Sequence, residues 1–210
     1  MHGDCQEIIK KLEEMHPDAH CELNHSTPFE LLVAVILSAQ CSDRRVNQVT
    51  EGLFKKYSKP EDFAALSNEE LEKEIFSCGF YKNKARSIIN ASRVLLEKFG
   101  GEVPSTVDEL VTLPGVGKKT ANVVYANAFG GDAIAVDTHV FRVSNRLGIA
   151  KAKTPEETER QLNAYFPKEA WSKVHHLLIF HGRYICHSQK PECGVCLLRE
   201  MCKHYNEINF

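Results

Sequence analysis

The sequence predicts an all-α protein. Three observations point that way. Apolar residues recur at helical spacing along most of the chain. Several of these runs open on capping residues and close on glycine. No stretch alternates polar and apolar residues between turn signals, as a half-buried strand would.

The elements follow in order. Ile8, Ile9, Leu12 and Met15 lie on one helical face near the start. Pro28 opens an almost wholly apolar helix from Phe29 to Ala39, which must be buried on most sides. Ser67-Asn68-Glu69-Glu70 matches a capping box, with Leu71, Ile75 and Phe76 behind it as the apolar face. Cys78-Gly79 stops that helix. A basic helix follows, with Ala85, Ile88, Ile89 and Leu95 inward and Gly100-Gly101 at its end. Ser105, Thr106 and Asp108 begin a short helix. Residues 132–136 form an irregular connection, and Asp137 heads a helix carrying Val140, Val143 and Leu147. Thr154-Pro155-Glu156-Glu157 starts another. The last long helix is expected over about 168–181, with a cysteine-rich tail beyond Gly182.

Composition excludes several classes. The 210 residues are 43% hydrophobic and 26% charged, outside the range of disordered or low-complexity chains. The longest apolar run, Leu31 to Leu37, is far short of the roughly 18 residues of a membrane span. The N-terminus lacks a basic segment followed by an apolar one, so the expected location is the cytoplasm, at the nucleoid if the source is bacterial. The formal charge is only −2, but its distribution is uneven. Six acids stand against Lys59 and Lys73 over residues 58–76, while six bases (Lys118, Lys119, Arg142, Arg146, Lys151, Lys153) stand against two acids over 118–153. Residues 79–96 hold four bases and no acid. A near-neutral chain can thus present a basic face to a polyanion.

The eight cysteines divide in two. Cys5, Cys21, Cys41 and Cys78 have no common spacing and read as small buried residues. Cys186-x6-Cys193-x2-Cys196-x5-Cys202 is a compact set. In a reducing compartment, four thiolates on a short irregular segment point to a metal centre that ties the tail down. A structural zinc and a [4Fe–4S] cluster both fit four cysteines; the wide flanking spacings suit the larger cubane.

The most informative stretch is Leu113-Pro114-Gly115-Val116-Gly117-Lys118-Lys119-Thr120-Ala121-Asn122-Val123-Val124. Leu110 and Leu113 end one helix, Ala121, Val123 and Val124 seat the next, and Gly115 and Gly117 let the backbone between them approach a ligand. Amides at a helix N-terminus suit a DNA phosphate without reading base sequence. Gly115, Val116, Gly117 and Lys118 are therefore candidate DNA contacts in a helix-hairpin-helix. Lys119 either contacts phosphate or attacks an electrophilic carbon as a neutral amine, giving a Schiff base. Asp137 is a helix cap or a carboxylate that balances charge developing on a sugar. His139 lines a pocket or packs. Gln40, after Ser38-Ala39, is either presented at a rim or an ordinary surface residue.

Together these pieces resemble the endonuclease III family of DNA glycosylases nearly end to end, through Ile36–Gln40, Leu113–Val124, Ala135–His139 and the four-cysteine spacing. The resemblance implies a [4Fe–4S] cluster on Cys186, Cys193, Cys196 and Cys202. It implies two helical lobes with a DNA-binding groove between them: a six-helix barrel containing the helix-hairpin-helix at 22–131, and a cluster-bearing lobe from 1–21 and 132–210. Lys119 falls at the family's Schiff-base nucleophile and Asp137 at its catalytic carboxylate. Gln40 falls where a side chain fills the gap left by an extruded nucleotide. Phe80 occupies the wedge position, where bacterial relatives usually carry Leu; an aromatic ring there suits stacking. The implied activity is a bifunctional glycosylase and abasic-site lyase of base excision repair, acting as a monomer on double-stranded DNA with oxidised pyrimidines or abasic sites, with no membrane partner. Two alternatives stand beside it. One is a monofunctional mismatch glycosylase of the same fold, which would lack a lysine at position 119. The other is a non-enzymatic DNA-binding module.

Overall fold

The computed structural model describes residues 2–208, and every regular element among them is helical. None of these helices is long and apolar enough to cross a membrane. The chain divides into two compact units, Cys21–Gly131 and the residues up to His20 together with those from Asp132 onward.

The first unit is organised around α2 (Pro28–Ser38), whose residues Phe29 to Leu37 are all buried. Thr27 caps it by accepting from the Glu30 amide at 3.1 Å. Buried Glu30 answers by accepting from the Ser26 amide at 2.6 Å, so two orphan donors at the helix start are satisfied. Helices α3 (Asp43–Lys56), α6 (Tyr81–Phe99) and α8 (Lys118–Phe129) pack against α2. Short α4 (Pro60–Ala65) and α5 (Asn68–Glu74) lie on α6, and the single turn α7 (Val107–Leu110) lies on α8. The sequence reading overlooked α3 and α4. The signal for α3 was present, with Ser42 as cap and buried Val46, Thr50 and Leu53 at helical spacing.

Two details of this unit differ from expectation. Helix α5 ends at Glu74 rather than running to Cys78, and the chain turns at once. Ile75 is buried there, but Phe76 is 67% exposed and stacks obliquely on Tyr81. In the basic helix α6, Lys84 is only 5% exposed and donates to the Leu37 carbonyl at 2.8 Å. Its charge therefore neutralises the C-terminal end of α2 instead of joining a basic surface.

In the second unit, α1 (His2–Met15), α9 (Thr138–Leu147), α10 (Pro155–Tyr165) and α11 (Trp171–Tyr184) bury Ile8, Leu12, Val140, Val143, Leu162, Val174, Leu177 and Leu178 together. The last long helix is preceded by a 3-10 turn, Lys168–Ala170, and reaches Tyr184. The closing helix α12 (Lys203–Ile208) packs on α9.

Neutral histidines seal this unit. His16 Nε2 meets His181 Nδ1 at 3.2 Å where α1 joins α11. Burial lowers His16, and burial with His16 nearby pushes His181 down to about 4. Burial, helped by His20, also holds His176 at about 4. An unfolded histidine takes up its proton near 6.5, while native His176 and His181 resist until about 4. Between those values the unfolded chain binds more protons, so stability is complete above about pH 6.5 and declines as pH falls toward 4. His176 alone contributes on the order of 2 kcal/mol to that decline. Urea denaturation between pH 7.5 and 4.5 should show it, and His176→Gln should flatten the slope.

Candidate functional site

The hairpin is built by two glycines with different duties. Gly115 has a φ of 79°, in the left-handed region, and a Cβ there would stand 2.4 Å from the Ser87 Cβ on α6. Its missing side chain is required by the fold. Gly117 has an ordinary φ of −85° and caps α8, and a Cβ there would meet nothing within 4 Å. No side-chain hydrogen bond caps α8, so its first amides are presented at an exposed turn, with the dipole's positive end behind them. Val116 is buried and pins the turn to the core, while Lys118 and Lys119 are exposed in the first turn of α8.

Gln40 and Phe80 share a property not readable from residue type. Both hold left-handed backbone, at φ 54° and 57°, which costs a non-glycine residue about 1–3 kcal/mol. Both are nonetheless exposed, Phe80 at 64%. Gln40 follows the end of α2, and Phe80 sits at the start of α6. A Cβ built on Gly79 would lie 3.5 Å from the Gln40 carbonyl oxygen, so the two loops are neighbours. Backbone strain held at two exposed residues on neighbouring loops marks a place where the fold sacrifices stability to aim them.

Asp137 caps α9. Its Oδ1 accepts from the Val140 amide at 2.8 Å, and the residue is half-buried. The capping role uses one carboxylate oxygen. His139 is wedged against α11, where a Cβ on Gly182 would come within 2.7 Å of the His139 Cβ, and its Nδ1 meets Arg142 at 3.2 Å. This geometry gives His139 a packing partner on each side.

The four tail cysteines line one cavity, shared with Arg146, His181, Tyr205 and neighbouring residues. Among the described residues, no group of His, Cys, Asp or Glu side chains closes to the spacing of a single bound ion. All four tail cysteines are free thiols. Burial drives Cys196 up to about 11, opposed by the Leu198 amide and reinforced by Cys202, Cys186 and Cys193. Cys202 rises for the same first reason. Cys196 and Cys202, so buried, give up their protons more readily to a positive centre than to water. The donor set and the shared cavity fit a cysteine-ligated metal centre.

Two arginines counted in the sequence as part of a basic face serve this loop instead. Arg142 donates to the Cys186 carbonyl at 3.1 Å and the Gly182 carbonyl at 2.8 Å. Arg146 donates to the carbonyls of His187 at 2.6 Å and Ser188 at 2.9 Å, and approaches the Cys186 sulfur at 3.5 Å. They lie four residues apart, one turn of α9, and so reach the same strand of backbone.

Known proteins share this arrangement. Residues 33–168 match the HhH-GPD superfamily of base excision DNA repair proteins. Endonuclease III of Bacillus subtilis (strain 168) is 56% identical over 196 residues, 93% of this chain and 90% of that protein. Endonuclease III of Escherichia coli (strain K12) is 45% identical over 203 residues, 97% of this chain and 96% of that protein. A solved structure of a trapped endonuclease III–DNA covalent intermediate, in an estranged-adenine complex, superimposes with a TM-score of 0.95 at 50% identity, covering 100% of this chain and 99% of that one. A thermostable thymine-DNA glycosylase, 23% identical with a TM-score of 0.87, shares the fold. With hairpin, helical framework and four-cysteine tail all in place, the chain belongs to the endonuclease III family within the HhH-GPD superfamily.

Proposed function

We propose that Lys119 and Asp137 carry the chemistry of this enzyme, a bifunctional DNA glycosylase and abasic-site lyase of base excision repair. The observation that carries the assignment is Lys119 itself: an exposed amine in the first turn of a helix whose uncapped N-terminus suits a DNA phosphate.

The reaction follows from the target. C1′ of a damaged nucleotide is out of reach inside the duplex, so the nucleotide leaves the stack. Oxidised pyrimidines have lost aromaticity and stack poorly, which lowers that cost and makes them the expected substrates. Gln40 and Phe80 enter the duplex as the nucleotide leaves, Gln40 in the gap and Phe80 stacked on a base. The Gly115–Gly117 turn and Lys118 hold the backbone through phosphate contacts that read no sequence. Asp137 stabilises positive charge developing on the sugar. The Lys119 nitrogen attacks C1′ and the C1′–N bond breaks; its electron pair leaves with the base, which takes up a proton as the attacking nitrogen sheds one. The sugar ring opens to an iminium, which acidifies the C2′ proton. Loss of that proton expels the 3′ phosphate, cutting the strand by β-elimination.

Cys186, Cys193, Cys196 and Cys202 are the residues that would hold a [4Fe–4S] cluster. It would supply structure and local charge, because base release and elimination transfer no net electron. The workplace expected for such an enzyme is the cytoplasm, at the DNA.

Borohydride should trap wild-type protein on abasic DNA, and Lys119→Ala should give no adduct; an adduct in that variant would assign the nucleophile elsewhere. Asp137→Asn preserves the cap, since asparagine caps as well as aspartate, so it should keep its denaturation midpoint while losing activity by about 100-fold or more. Gly117→Ala should fold normally and weaken duplex binding about tenfold by crowding the phosphate. Gly115→Ala should instead destabilise the protein by about 2–4 kcal/mol through its backbone and Ser87.

A further inference from the structure

Two thiols stand at the pair of strained loops, and the reaction above uses neither. Cys41 directly follows Gln40 and is partly exposed, while Cys78 precedes Gly79 and Phe80 and is 0% exposed. Cys41 packs against the core cluster that contains Cys78, and a Cβ on Gly79, next to Cys78, would lie 3.5 Å from the carbonyl oxygen of Gln40, next to Cys41. Each backbone is held by its own turn, Cys41 donating to the Ser38 carbonyl at 3.0 Å and Cys78 to the Ile75 carbonyl at 2.9 Å. The buried Lys84 ammonium, anchored on Leu37 at 2.8 Å, interacts electrostatically with both sulfurs, and Arg45 adds a second cation near Cys78. Burial nevertheless holds the Cys78 thiol up, the neighbouring Cys41 adding to the effect and the two cations opposing it. Here an accessible sulfur lies against a sealed one, with a fixed positive charge beside them. That combination suits reversible oxidation better than packing alone.

We propose that Cys41 and Cys78 form a peroxide-responsive dithiol site, whose disulfide ties the Gln40 loop to the Phe80 loop and slows lesion capture. The Cys41 sulfur attacks one oxygen of hydrogen peroxide and the O–O bond breaks, leaving Cys41 sulfenic acid and one water. The Cys78 sulfur then displaces hydroxide from the Cys41 sulfur, and the Cys78 proton leaves with it as a second water. The two thiols lose two electrons and one peroxide gains them. A dithiol reductant reverses the bond by exchange. Cys41 reacts first because solvent reaches it. Cys78 resolves slowly because burial holds its proton.

Closing two non-bonded sulfurs to an S–S bond of about 2.05 Å draws the loops together by a distance on the order of 1 Å. Gln40 adjoins one sulfur and Phe80 lies two residues from the other. Misplacing positioning residues by that much costs up to about 100-fold in rate. The effect on activity rests on the reading of Gln40 and Phe80 given above; formation of the disulfide does not.

The test treats the purified holoenzyme with hydrogen peroxide, blocks remaining thiols by alkylation and maps the peptides. A Cys41–Cys78 linked peptide should appear, disappear on dithiothreitol treatment, and accompany a fall of about tenfold in nicking of lesion-containing duplex that reduction restores. Cys41→Ser should nick at the reduced rate and stay unresponsive to peroxide at concentrations that spare the tail cysteines. Alkylation of both thiols after peroxide, or irreversible oxidation of Cys41 with no linked peptide, would overturn the site. A linked peptide with unchanged nicking would retain the disulfide and overturn its control of the loops. Failure of the reduced wild type to nick lesions would instead reject the function, a separate result.

Discussion

Helix α2 cannot face water on any side, and the first unit follows from that constraint. Its eleven residues include an unbroken apolar run from Leu31 to Leu37, every member of it buried. Each such side chain contributes about 1.5–3 kcal/mol when fully covered, and no single neighbour covers a helix all round. Three helices therefore close on it, α3, α6 and α8, and each has a candidate site residue at or near its start. The chain leaving α2 presents Gln40, α6 begins behind Phe80, and α8 begins at the hairpin with Lys119 in its first turn. The apolar core thus places polar chemistry at helix ends, where amides are unspent and side chains can point outward.

The same core explains why strain is tolerated. Two non-glycine residues in left-handed backbone are expensive in a small protein, and nothing in their own side chains repays the cost. Phe80 does not even provide a side-chain cap for α6. Buried Lys84 ties the end of α2 to α6 through the Leu37 carbonyl, four residues beyond Phe80. That bond connects the two strained segments to the rigid interior. Once their backbone is anchored, Gln40 and Phe80 remain exposed without the loops relaxing. The thiol pair lies at the same junction, which is why a bond between the sulfurs would act on both side chains together.

The cysteine tail works by a different economy. It has little apolar surface: Leu198 is its one fully buried side chain after Cys186 among the described residues. Arginines from α9 hold its backbone carbonyls, and its sulfurs gather around a common cavity. A segment of this kind keeps its shape through cross-links rather than burial, so the arginine clasp supports it, and a centre held by the four cysteines would add a second support.

Sequence by itself determined the helical class, most caps, the hairpin, the four-cysteine set and the positions of Lys119 and Asp137. Those features are local: a cap, a turn or a ligand spacing is written within a few residues. Tertiary structure alone decided the rest. Lys84, Arg142 and Arg146 read as surface charge along the chain, yet each is turned inward by a carbonyl or sulfur that is distant in sequence. Phe76 read as core and is exposed, because α5 stops a turn earlier than its apolar pattern suggested. Ser87 gave no sign that it dictates glycine at 115. Cys41 and Cys78 are thirty-seven positions apart and share no motif, but folding packs Cys41 against the core cluster that holds Cys78. Which partner a side chain meets across the core depends on how whole helices pack, and no short window of sequence holds that information.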